Sequence, residues 1–135
     1  MKSKKKQYVN ILGIELITPF RVKKSGKFAK QVDERTLIMA VLRRIVTLKS
    51  FTESNIEINE TDFYLNITKS TLFWEDEFER YSSRQDSYMT FGGLKGKILL
   101  SNINYQTQEL LIAGELLNIG KNTAFGLGKY KIIWN

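Results

Sequence analysis

Neither cysteine nor histidine occurs among the 135 residues, and proline occurs once. Without cysteine there are no disulfides, thiolate metal sites or cysteine nucleophiles. Without histidine the commonest general acid-base group and the commonest metal ligand are missing, so any chemistry must proceed without imidazole. No apolar run approaches the roughly 20 residues of a membrane span. The opening Met1-Lys2-Ser3-Lys4-Lys5-Lys6 is not followed by the apolar core of a secretory signal. These absences lead to the expectation of a cytoplasmic protein with no membrane partner. What is present is ordinary for one compact domain: 42% of residues are hydrophobic and 26% charged, in a chain long enough to bury a core unaided.

Charge is unbalanced and its excess is local. Lys and Arg number 21 against 14 Asp and Glu, a net of +7. Residues 1–30 carry nine bases and one acid, and residues 31–135 carry twelve and thirteen. A surplus of this kind favours polyanionic partners. Residues 1–7 are expected to be a basic flexible N-terminus, and residues 8–135 a single domain.

The apolar run in residues 8–22 predicts a mostly buried strand, and residues 23–30 a basic hairpin turning at Gly26. Asp33 is placed to cap a helix in which Leu37, Ile38, Val41, Leu42, Ile45 and Val46 form one apolar face, with Arg35, Arg43 and Arg44 elsewhere on the cylinder. Residues 52–62 are polar and acidic and predict a surface excursion. Residues 68–81 and 88–102 predict an antiparallel hairpin, with a bulge or close backbone approach near Gly92, Gly93 and Gly96. Thr107 is placed to cap a second helix stopped by Gly120, and residues 125–134 to form a last strand. The order β-α-β-β-α-β is that of an α+β, ferredoxin-like sandwich, an antiparallel sheet with two helices on one face. The other face is left open. Sheet faces and loop edges of this kind read RNA in many proteins, but the fold hosts many functions.

The segment Gly120-Lys121-Asn122-Thr123-Ala124-Phe125-Gly126-Leu127-Gly128-Lys129-Tyr130 is the most unusual stretch. Its glycines let consecutive amides curl toward one acceptor, its lysines add charge, and Asn122 and Thr123 offer hydrogen bonds to phosphate oxygens. The same residues also read as a helix stop and a glycine-relieved strand entry, and their physics does not separate the two. Neither a Walker loop nor a G-x-G-x-x-G turn is present.

Together with the preceding Glu115-Leu116-Leu117-Asn118-Ile119, this segment resembles the C-terminal glycine-rich loop of the RAMP-superfamily CRISPR precursor-RNA processing endoribonucleases. Arg80-Tyr81-Ser82-Ser83-Arg84-Gln85 with Gly92-Gly93-Leu94-Lys95-Gly96-Lys97-Ile98 resembles the same family's hairpin. So does the opening Leu16-Ile17-Thr18-Pro19-Phe20-Arg21-Val22-Lys23, before a helix ending in Leu42-Arg43-Arg44. The resemblance implies a function in CRISPR antiviral defence: binding of CRISPR repeat RNA, and its processing without metal or cofactor by attack of a ribose 2′-hydroxyl on the adjacent phosphate. Members typically pair two ferredoxin-like domains in tandem. This chain resembles the second, so a fragment, half of a split system and a free-standing relative are all compatible with it. The family's imidazole has no counterpart here, and no catalytic residue is assigned. Tyr81, Tyr105 and Lys121 would each need a large pKa shift to act as bases at neutral pH. Glu75, Asp76, Glu77 and Glu79 read as a charged strand face or edge rather than a metal pair, so no metal site is expected.

The expected RNA-binding residues are Gly120, Lys121, Asn122, Thr123, Gly126, Gly128 and Lys129 on the loop. Arg84 at the hairpin tip, and Lys95 and Lys97 on one strand face, come next. Arg21, Lys23, Lys24 and Lys27 form a second patch. The alternative function is a non-catalytic docking subunit of a CRISPR ribonucleoprotein. It would join a separate N-terminal half, effector-complex subunits or a second copy as a homodimer, through an open face bearing Phe73, Tyr81, Tyr88 and Phe91.

Overall fold

The computed structural model describes residues 8–49, 59–82 and 87–134, and their side chains except at 48, 49, 77–82 and 87–91. The N-terminal segment 1–7 and Arg84 lie outside the described residues, as do the side chains of Tyr81, Tyr88 and Phe91.

In chain order the elements are β1 (Leu12–Phe20), β2 (Lys23–Lys24), β3 (Lys27–Phe28), α1 (Glu34–Lys49), β4 (Asn66–Ser82), β5 (Ser87–Ser101), α2 (Tyr105–Leu117) and β6 (Tyr130–Trp134). One antiparallel sheet has the order β4-β5-β1-β6, and β2-β3 form a small separate ribbon. Order, direction and helices are those of the ferredoxin-like α+β fold.

Strand alternation sets the core. Leu12, Ile14 and Leu16 of β1 are buried, opposite Leu100 and Ile98 of β5 on one side and Ile132 and Tyr130 of β6 on the other. Leu37 and Val41 of α1 and Leu110 and Leu111 of α2 close the layer above them. The two helices approach at Gly114, where a Cβ would stand 2.8 Å from Val41 Cγ1 and 2.4 Å from the Tyr130 hydroxyl. That hydroxyl donates to the Leu111 carbonyl. Burial and the Glu115 charge push its pKa far up, so it stays a neutral donor. One amide on each outer strand is engaged by a helix carboxylate. Glu34 accepts from the Ile67 amide of β4 at 3.1 Å, and Glu115 from the Ile132 amide of β6 at 2.6 Å. Edge amides engaged in this way are blunted against pairing with another sheet.

Local signals were met unevenly. Asp33 caps α1 as expected, its carboxylate accepting from the Thr36 amide at 2.7 Å and from Lys24 Nζ at 2.8 Å. The turn between β2 and β3 falls on Ser25 and Gly26, both at positive φ (55° and 80°), the geometry a two-residue hairpin favours. The first strand begins at Leu12 rather than at residue 8. The cap of α2 is Asn104, three residues before the expected Thr107, and its Oδ1 accepts from the Thr107 amide. Thr107 is buried in the first turn, with its hydroxyl accepting from the Tyr64 amide at 2.7 Å. The helix stops two residues sooner, at Asn118 with φ 60°. The last strand shrinks to Tyr130–Trp134, since Gly126 and Gly128 hold positive φ and residues 123–125 form a 3-10 turn. The irregularity near the β5 glycines lies in β4, where the register shifts between Asp76 and Phe78. Gly96 is a close approach: its Cβ would fall 2.0 Å from the Thr71 carbonyl oxygen.

Asp33 carries a pH-dependent share of stability. Its hydrogen bonds to Lys24 and Thr36 hold its carboxyl pKa well below the usual carboxylate range. A depressed folded pKa contributes stability that is fully present above the unfolded value of about 3.9 and declines progressively as pH falls from there through the folded pKa. Asp33→Ala is expected to cost about 1 kcal/mol at pH 7 through the lost cap, with little from the solvent-screened ion pair. In denaturant titrations the gap between the two proteins should narrow steadily as pH falls from about 4 toward 2; a gap unchanged between pH 7 and pH 2 would contradict this.

Candidate nucleic-acid interface

The glycine-rich segment is held against the end of β1 by backbone bonds. The Lys121 amide donates to the Arg21 carbonyl at 2.8 Å, the Gly128 amide to Pro19 at 2.9 Å, and the Ile119 amide to Gly128 at 2.9 Å. Two of its glycines exist for this contact. A Cβ at Gly120 would meet the Arg21 carbonyl oxygen at 2.4 Å, and one at Gly128 would meet that of Ile119 at 1.7 Å. The amides of Phe125 and Gly126 turn inward to Asn122 and Thr123, and that of Lys129 donates to the Thr18 hydroxyl at 2.9 Å. These six amides therefore serve the loop's own folding. Charge for a ligand comes from side chains.

Those side chains gather where the loop meets α1. A cavity of about 410 Å³ is lined by Arg21, Lys23, Arg43, Arg44, Gly120 and Lys121, with Thr47, and among the described residues no carboxylate stands on its wall. Arg21 and Lys23 follow β1, Lys121 follows α2, and Arg43 and Arg44 stand on α1. The Arg44 Nε donates to the Leu117 carbonyl at 3.2 Å, a cation at the negative end of α2. Burial pulls the Arg21 pKa below its ordinary value and the Asp76 carboxylate opposes that shift; the guanidinium stays charged. The five cations gathered there focus a positive field on one concavity.

The expected residues divide accordingly. Arg21, Lys23, Gly120 and Lys121 meet in the cavity. Asn122 and Thr123 are half-buried on the adjoining loop, and Lys129 is exposed, alternating with the buried Tyr130. Lys24 is engaged by Asp33, and Lys27 is exposed on β3. Lys95 and Lys97 belong to the open sheet face beside Glu15, Thr71 and Phe73, and Lys95 pairs with Glu75 at 3.7 Å. Arg43 and Arg44 were absent from the expected set. On the helix pattern they are merely polar positions, and only the docking of the loop beside α1 gives them a role.

Tyr105 opens α2 while the loop follows its other end, a separation of roughly 20 Å for thirteen helical residues. Its hydroxyl is made less acidic by a hydrogen bond to Glu109 and by that carboxylate's charge. Asp76 accepts from Trp74 Nε1 at 3.3 Å. Among the described residues no three acidic, histidine or cysteine side chains group as metal ligands, and no helix is long and apolar enough to cross a membrane.

Fold and cavity define a ferredoxin-like domain with a concave cationic site at its glycine-rich loop. Residues 14–130 match the family CRISPR-associated endoribonuclease Cas6, and the chain belongs to that family. No curated protein sequence matches it. Among solved structures, a partial Cas6-RT-Cas1–Cas2 complex aligns with a TM-score of 0.65 and 16% identity, over 90% of this chain and 22% of that one. Thermus thermophilus Cas6 aligns at 0.61 and 15% identity, over 92% and 53%. A Cas6 product complex aligns at 0.58 and 13%, over 93% and 54%. The chain thus spans about half the length of these Cas6 chains, and less than a quarter of the first.

Proposed function

We propose that this domain binds CRISPR repeat RNA during precursor processing, gripping its phosphates with the cavity formed by Arg21, Lys23, Arg43, Arg44 and Lys121. The observation that carries the reading is the cavity itself, with five cations and no carboxylate among its described lining residues, in a chain of the Cas6 family. The domain acts as the second of two halves, and the acid and base of strand cleavage come from the other half. That division is supported by the alignment over 53% of Thermus thermophilus Cas6 and by the lack of histidine here. A docking role on the other half or on effector-complex subunits is favoured by the open sheet face, where Leu99, Ile133 and Phe73 are exposed at 45%, 39% and 52%.

Purified chain titrated into labelled repeat RNA, with an unrelated hairpin alongside and EDTA throughout, tests the reading. A repeat-specific shift without cleavage is the expected result. Metal-independent cleavage would make the chain a complete nuclease and overturn the division of labour. No preference for the repeat would leave docking as the function.

A further inference from the structure

Arg21 and Lys23 of the cavity wall also meet aromatic rings, which phosphate binding alone does not use. The Arg21 guanidinium carbon lies 4.2 Å from the centre of the Phe28 ring, and Lys23 Nζ lies 5.4 Å from the same centre. Phe28 packs at a tilt on Trp74, 6.4 Å between ring centres, and Lys30 Nζ stands 3.4 Å from the Trp74 ring. This ladder of cations and rings is fixed from beneath. Trp74 is anchored through Nε1 to Asp76. A Cβ at Gly92 would fall 2.1 Å from the Asp76 carboxylate, and one at Gly93 would fall 3.0 Å from Arg21 Cγ. Gly92 is clearance for Asp76 and Trp74, and Gly93 for the end of β1 that carries Arg21. A backbone-tracking groove needs only point charges, whereas a planar guanidinium backed by an aromatic ring is a stacking surface for a nucleobase.

We infer that the cavity takes one unpaired ribonucleotide, its phosphate on Arg43, Arg44 and Lys121 and its base stacked on the Arg21 plane that Phe28 supports. The inference rests on the RNA-binding reading above and names the form of RNA the site recognises. A cavity of about 410 Å³ is of small-molecule size, and a base held in a duplex has no exposed face to offer it.

The test is an NMR titration of the ¹⁵N-labelled full chain with adenosine 5′-monophosphate, ribose 5-phosphate and inorganic phosphate, read at the arginine Nε and Lys121 amide signals. Adenosine 5′-monophosphate is expected to bind about tenfold tighter than ribose 5-phosphate, within the range of one base-aromatic stack. Phe28→Leu should bring that ratio near one while leaving ribose 5-phosphate affinity in place. Arg21→Lys keeps the charge without the plane, so it should do the same and guards against a hairpin lost in the first variant. Equal affinities in the unaltered chain, a preference surviving both variants, or no saturable shift with any probe would overturn the inference. Repeat-RNA affinity measured in parallel separates the failures. A chain that binds the repeat without base preference keeps the RNA reading and loses the nucleotide site. A chain with the preference and no repeat affinity does the reverse.

Discussion

Neutralising Arg43 and Lys121 together, as Arg43→Gln and Lys121→Gln, is expected to weaken repeat-RNA binding by about 10- to 100-fold at moderate salt. The log-log salt dependence should flatten by about 1.4, the loss of two single-strand phosphate contacts. These two are chosen because both side chains are exposed, so their loss disturbs no packing. Arg44 is less informative, because its bond to the Leu117 carbonyl mixes helix stability with binding. Lys97→Gln provides the contrast. It stands on the open sheet face, opposite Glu15 of β1 and Thr71 of β4, away from the cavity. An equal loss from Lys97→Gln would spread the binding over the whole basic surface, while a loss confined to the first pair would localise it. Fluorescence anisotropy across a salt series measures both quantities.

The contrast between Arg43 and Lys121 also shows what a sequence can reveal. Lys121 stands out because it lies among glycines, whose spacing is legible along the chain. Arg43 belongs to a helix whose apolar face, Leu37 and Val41 included, is legible by its period; that same period makes Arg43 one solvent-facing residue among several. Its partnership with Lys121 is created by the Lys121-to-Arg21 backbone bond, which joins positions a hundred residues apart. Local capping followed a similar rule. Asp33 was readable because its partner Thr36 is three residues on, whereas the choice of Asn104 over Thr107 depended on Tyr64. The Tyr64 amide takes the Thr107 hydroxyl as acceptor, and Asn104 Nδ2 donates to the Asp62 carbonyl at 2.8 Å. The β-α-β-β-α-β order needed only pattern. The bonds of the Lys121, Gly128 and Lys129 amides to the end of β1, and of the Phe125 and Gly126 amides within the loop, are contacts no local pattern encodes.

Gly128→Ala is expected to be the most damaging small substitution in the loop, at about 3 kcal/mol or more, and Gly126→Ala the mild control at about 1 kcal/mol. Both glycines hold positive φ, 79° and 84°, so both substitutions incur the left-handed backbone cost. Only Gly128 adds a collision. Its Cβ would lie 1.7 Å from the Ile119 carbonyl oxygen, whereas nothing stands within 4 Å at Gly126. The obstacle is backbone and cannot rotate away. Relief would require parting the Gly128 carbonyl from the Ile119 amide or the Gly128 amide from Pro19, and either shift moves Gly120 and Lys121 away from Arg21. For a domain of this size, thermal midpoints should fall by about 10 °C for Gly128→Ala and about 4 °C for Gly126→Ala. Repeat-RNA affinity of the fraction still folded should drop only for Gly128→Ala, because the cavity wall is what moves. Equal midpoints for the two variants would mean that the loop yields at Ile119, and that its closeness to β1 is not what holds Lys121 at the cavity.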